Sequence, residues 1–111
     1  MNLLVKSETR EGVAIVQVEG DLDVYTAPRL REALEEAGAS GGRLVLDLRA
    51  VHFIDSTALG VLVSAQQRLR TEDGQLSLVL DDPYLLKIFR ITGFDGVFPI
   101  YSQLEEAVTA S

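Results

Sequence analysis

Between Leu44 and Leu69 the spacing of apolar residues changes from that of a strand to that of a helix, which limits the chain to architectures where one feeds directly into the other. Leu44-Val45-Leu46-Asp47-Leu48 is a nearly continuous apolar run bounded by the turn-forming cluster from Gly38 to Gly42, as expected of a buried strand. From Thr57 onward, Ala58, Leu62, Ala65 and Leu69 recur at helical spacing. The polar hinge Asp55-Ser56-Thr57 sets one acid and two hydroxyls where the helix begins, with Ser56 as the predicted N-cap. A helix start presents unpaired N–H groups and a partial positive charge. It suits an N-cap hydroxyl, a phosphate or a developing anion.

The same pattern continues on both sides of this hinge. Residues 3–9 and 13–19 read as two strands around Glu11-Gly12, a connection short enough for an antiparallel hairpin. In the second strand Ala14, Val16 and Val18 line one face while Val13 and Ile15 make the other partly apolar, which predicts cover on both faces. Thr26-Ala27-Pro28 opens a helix, with Thr26 as predicted cap and Leu30, Ala33, Leu34 and Ala37 as its apolar stripe. Downstream, residues 76–80 read as a buried strand, and Asp82-Pro83 starts a helix that Gly93 ends. Residues 97–100 read as a short last strand, and Ser102 with Glu105 as a capping box for a terminal helix bearing Leu104, Ala107 and Val108. Strands alternating with helices define an α/β fold: a mixed, mainly parallel sheet of about five strands behind an opening hairpin, with about four helices.

Composition narrows the functional classes. The 111 residues, 47% hydrophobic and 24% charged, suffice for one core, so residues 1–111 are expected to form a single domain. The chain has no cysteine, which excludes disulfides, thiol redox switching and cysteine metal sites. Met1-Asn2-Leu3-Leu4-Val5-Lys6 lacks the pattern of a signal peptide and no apolar run reaches membrane-spanning length, so a soluble cytoplasmic protein without membrane contact is expected. The net charge of −7 speaks against direct nucleic-acid binding. Any role in transcription would be indirect.

Local pattern leaves two readings of Ser56. In one it is only a cap, accepting from the N–H of Ala58 or Leu59 and contributing roughly 1 kcal/mol. In the other it is an exposed phosphate acceptor, and the added charge operates a switch. Two further constellations compete. His52, Asp55 and Ser56 supply the residue types of a hydrolase triad, but the Gly-x-Ser-x-Gly elbow is missing. Asp55 after an apolar strand, with Asp21 and Asp23 after an earlier one, suggests a phosphoaspartate receiver holding Mg²⁺. Receivers, however, begin with a strand–helix unit and carry a lysine after a late strand, where this chain has a hairpin and Tyr101-Ser102. No catalytic residue, metal or cofactor is expected.

Three strings in order, Gly20-Asp21-Leu22-Asp23-Val24-Tyr25-Thr26-Ala27-Pro28, Asp55-Ser56-Thr57-Ala58-Leu59-Gly60-Val61, and Leu86 to Gly93 with Phe98-Pro99-Ile100, resemble the anti-sigma factor antagonists, single-domain members of the STAS family. The third is similar to the actinobacterial members in particular. The resemblance implies a STAS-type fold and a partner-switching protein rather than an enzyme, the alternative being a non-switching STAS interaction or small-ligand-binding module in which Ser56 is only a cap. Its unphosphorylated form would bind an anti-sigma factor that is also a serine kinase and so free the sigma factor. The kinase would phosphorylate Ser56, the phosphorylated protein would let go, and a metal-dependent serine phosphatase would reset it. Carried over by position, Asp55 precedes the acceptor, Thr57 is the adjacent hydroxyl, and Asp21, Asp23 and Thr26 lie on the neighbouring loop. With Ala58, Leu59 and Gly60 these form the expected partner surface of a free monomer. Ala58 stands where the family commonly has glycine, and its methyl group is expected beside the acceptor.

Overall fold

Glu11 and Gly12 both adopt left-handed backbone conformations, φ 53° and 79°, as a two-residue type I′ turn requires. They join β1 (Leu4–Arg10) to β2 (Val13–Leu22) in the antiparallel hairpin expected from the sequence. The computed structural model describes residues 3–110; Met1, Asn2 and Ser111, including the first two residues of the opening segment read above, lie outside the described residues. After the hairpin come α1 (Ala27–Ala37), β3 (Arg43–Ile54), α2 (Ser56–Arg70), β4 (Gln75–Val79), α3 (Pro83–Thr92), a short 3₁₀ helix (Phe94–Gly96), β5 (Ile100–Tyr101) and α4 (Leu104–Thr109). The sheet runs β1-β2-β3-β4-β5, antiparallel only between β1 and β2. None of the described helices is long and apolar enough to cross a membrane.

Both faces of the sheet are covered, as the two-sided apolar pattern of β2 requires. Val16, Leu46 and Leu78 face a large core shared with Leu30 of α1, Leu62 of α2 and Phe89 of α3. Val13, Ile15, Val45 and Val79 face the other way, under Leu104, Ala107 and Val108 of α4. Because α4 is only six residues long, it covers part of that second face. The rest borders a hollow of about 430 Å³ lined by Lys6, Gln17, Glu19, Asp47 and Arg49. Asp47 is buried at its floor and fully bonded there: Arg49 donates to it from Nε at 3.0 Å and Nη2 at 2.7 Å, and Gln17 Nε2 at 3.3 Å. Burial alone would push the Asp47 carboxyl up. Hydrogen bonds from the Arg49 side chain and backbone, the Arg49 charge and the Gln17 amide outweigh it and hold the carboxyl below the usual carboxylate range.

Three elements differ from their sequence reading. The last strand is Ile100–Tyr101, not residues 97–100, because the Val97 carbonyl accepts from Gln66 Nε2 at 2.9 Å and Arg70 Nη2 at 2.8 Å and is bound to α2 instead of β4. The cap of α4 lies one residue later than Ser102 and Glu105. Gln103 N–H donates to the Glu106 carboxylate, to which Ser102 Oγ also donates, while Glu105 pairs with Arg10. Finally, β2 runs past residue 19 to Leu22, since two register shifts let Asp21 and Leu22 pair with Phe53 and Ile54.

Candidate functional site

The extended β2 ends beside the end of β3, and the loops that follow both strands meet there. Asp55 N–H donates to the Leu22 carbonyl at 3.0 Å, joining the β3–α2 junction to the β2–α1 loop. Asp55 has extended backbone, φ −111° and ψ 179°, and its carboxylate accepts from Ala58 N–H at 3.0 Å while its carbonyl accepts from Leu59 N–H. The helix cap is therefore Asp55 and not Ser56. A carboxylate at that position accepts the bond predicted for the serine hydroxyl, and its charge complements the helix dipole.

Ser56 becomes the first residue of α2, exposed, with no structural bond from its hydroxyl among the described residues. The reading in which Ser56 serves only as a cap is overturned. Thr57 and Gly60 are exposed as well. Ala58 and Leu59, placed on the partner surface by the sequence reading, turn into the core, with 0% and 7% of their surface exposed. At positions three and four beyond the cap, helical geometry points them under the sheet. The Ala58 methyl group thus packs inside and does not stand beside Ser56.

The loop after β2 is organised by Asp23, whose Oδ1 accepts from Tyr25 N–H at 2.9 Å and Thr26 N–H at 3.0 Å. Thr26 occupies the position before α1 but makes no side-chain cap, because its backbone is already helical. Its buried hydroxyl donates to the Asp21 carbonyl at 2.8 Å and accepts from Asp23 N–H at 3.0 Å. Thr26 shapes the loop from inside and is not on its surface, a second correction to the expected partner set. Asp21 and Asp23 remain partly exposed. Sequence reasoning missed the apolar residues on this rim: Val24, Tyr25 and Phe53 are 54%, 80% and 42% exposed. Val24 and Tyr25 carried a signal, since apolar side chains at a turn between core elements have no buried position to fill, whereas Phe53 lies within β3 and carried none.

The rival constellations do not assemble. His52 Nδ1 lies 3.5 Å from Asp82 Oδ2, and the Asp55 carboxylate is engaged by Ala58 N–H, so neither serves Ser56. Asp82 caps α3 through Tyr84 N–H, and this bond holds its carboxyl below the usual range, with a smaller contribution from His52. Among the described residues no group of three acidic or histidine side chains is placed to hold a metal ion. Moreover, the strand order β1-β2-β3-β4-β5 with an antiparallel edge differs from the all-parallel 2-1-3-4-5 order of receivers.

A five-stranded mixed sheet with this strand order, carrying a serine at the mouth of the helix after its central strand, defines a STAS-type domain. The chain belongs to the STAS domain family, whose model matches residues 5–107. It is similar to the anti-sigma-B factor antagonist of Bacillus subtilis (strain 168), with 34% identity over 108 residues that cover 97% of this chain and 99% of that protein. Among solved structures, an anti-sigma factor antagonist from Mycobacterium paratuberculosis superimposes with a TM-score of 0.89 at 34% identity, over 97% of this chain and 92% of that one. The Bacillus cell fate determinant SpoIIAA in its phosphorylated form shares the fold at a TM-score of 0.70 and 21% identity, over 96% of each chain.

Proposed function

We propose that this chain, acting as one domain over residues 1–111, is a cytoplasmic anti-sigma factor antagonist switched by phosphorylation of Ser56. The unmodified protein binds an anti-sigma factor that is also a serine kinase, and the sigma factor is released. Phosphoryl transfer from ATP to Ser56 Oγ ends that complex, and a serine phosphatase restores the hydroxyl by hydrolysis. The role is one of binding rather than catalysis, and it involves no direct contact with nucleic acid. Near full-length similarity to antagonists of anti-sigma factors supports the class of partner. The observation that carries the switch is the exposed Ser56 hydroxyl, freed from capping by Asp55 and set on a rim with Asp21 and Asp23.

The electrostatics of that rim explain how a phosphate acts. A phosphoserine brings about −1.5 to −2 charges, which the start of α2 accommodates without refolding. Across a partner interface, the same charge beside the carboxylates of Asp21, Asp23 and Asp55 adds repulsion and desolvation. A hundred-fold loss of affinity requires about 2.7 kcal/mol, within reach of such a change. The partner contacts on this reading come from Asp21, Asp23, Asp55, Thr57 and Gly60, joined by Val24, Tyr25 and Phe53.

Intact-mass analysis with site mapping, after incubation with ATP and each anti-sigma kinase of the source genome, tests the proposal beside Ser56→Ala. The expected result is one phosphate on Ser56, absent from the variant, that weakens kinase binding. Tight binding without phosphate would make the chain a constitutive antagonist and would sink the switch.

A further inference from the structure

β1 is an outer strand, paired with β2 on one side and with no strand on the other among the described residues. Arg10 and Val13 flank the two-residue turn and so form a hydrogen-bonded pair. Alternation along the ladder then directs the backbone groups of Arg10, Glu8, Lys6 and Leu4 toward β2, and those of Thr9, Ser7 and Val5 outward. The outward row is unobstructed: the strand has no proline or bulge, and Lys6, Ser7, Glu8 and Thr9 are all exposed.

We propose that β1 pairs with β1 of a second copy of this chain, antiparallel, about a two-fold axis at Ser7, joining two five-stranded sheets into one. Val5 then meets Thr9 of the second copy and Ser7 meets Ser7, each pair exchanging both backbone hydrogen bonds. Charge selects this register. With the axis at Ser7, Lys6 faces Glu8 of the second copy on both sides of the axis. The neighbouring registers that also match outward groups place the axis at Lys6 or at Glu8. The first opposes Lys6 to Lys6. The second opposes Glu8 to Glu8 and Lys6 to Arg10.

A lysine on an edge strand ordinarily repels a second edge. Here it stands two residues from an acid of opposite sign, and the two-fold turns that spacing into a pair of matched contacts. Lys6 makes no ion pair within the chain among the described residues, so it is available, and Glu8, which pairs with Arg10 of its own strand at 3.1 Å, would be shared between Arg10 and the incoming lysine. The association replaces the sequence expectation of a free monomer. It does not rest on the role of Ser56, which follows β3 and not β1.

Sedimentation velocity on the full chain, over a wide concentration range reaching about millimolar, tests the proposal. A monomer–dimer equilibrium is expected, with Lys6→Glu weakening it about ten-fold or more and Lys6→Glu/Glu8→Lys returning it to within about three-fold of the parent. Ser7→Pro removes an outward N–H and no β1–β2 bond, so it should give a folded monomer with an unchanged circular dichroism spectrum. Ser7→Cys, the only thiol in the chain, should cross-link on oxidation while Glu8→Cys does not. A monomer at every concentration overturns the proposal. So does a dimer that survives Ser7→Pro or ignores the charge of residue 6.

Discussion

The backbone N–H of Asp55 and the carbonyl of Leu22 are joined by a 3.0 Å hydrogen bond, which holds the segment bearing Ser56 against the loop bearing Asp23. Asp55 links to the neighbouring loop through its backbone and to its own helix through its side chain. The two functions are separable by substitution.

Asp55→Ala should remove the cap of α2 while keeping the backbone bond to Leu22. The expected cost is about 1 kcal/mol of stability, seen as a lower denaturation midpoint with unchanged slope. Asp55→Asn retains an acceptor for Ala58 N–H and should recover most of the loss.

Ser56→Glu adds a fixed negative charge to the first turn of α2, where the helix dipole tolerates it, so the melting temperature should change little. Affinity for the anti-sigma factor should fall at least ten-fold, about 1.4 kcal/mol or more, by isothermal titration. Ser56→Gln, of similar size to the glutamate but uncharged, should bind nearly as the parent does. Equal affinity of the glutamate variant would argue against electrostatic release.

Arg49→Met should leave the buried Asp47 carboxylate without its main partner, costing about 1–3 kcal/mol at neutral pH. Because the folded state depresses the Asp47 pKa, the stability it confers is present above the unfolded value of about 3.9 and is lost as pH falls through the lower, folded value. The gap between parent and variant should therefore be widest at neutral pH and close on acidification below about pH 4. Urea titrations at several pH values will show it; a pH-independent gap would mean that Arg49 acts by packing alone.

Gln66 is buried on α2, donating to the Leu76 and Val97 carbonyls at 2.9 Å each and accepting from Leu76 N–H at 2.7 Å. Gln66→Leu should strand the Leu76 backbone groups in the core and cost about 2–3 kcal/mol by chemical denaturation, despite the added apolar surface. Gln66→Glu should restore stability only at acidic pH, where the carboxyl is protonated and can donate.

The architecture was legible because strong periodicity coincided with unambiguous punctuation. Gly93, with φ 77°, ends α3 as its position predicts, and Asp82-Pro83 starts that helix. Adjacent polar residues were harder to separate. Asp55 and Ser56 are both good caps, and only backbone geometry shows which one is extended. The same ambiguity moved the α4 cap from Ser102 to Gln103. Val97 has a strand-like side chain but lost its place in the sheet to Gln66 and Arg70, partners distant in sequence whose reach no local pattern encodes. At the site, the motif resemblance carried over all seven positions alike and could not tell the inward-facing ones from the rest: Asp21 and Asp23 are partly exposed and Thr57 and Gly60 exposed, whereas Ala58, Leu59 and Thr26 are buried.

With Asp55 as the cap, chemistry at the neighbouring hydroxyl would break no bond that holds the helix. On the proposed reading a phosphate at Ser56 would leave the helix formed, and the molecule would keep little mechanical memory of having been modified. How long the mark lasts would then depend on the enzymes that add and remove it, and the same copy could be reused through many cycles without wear.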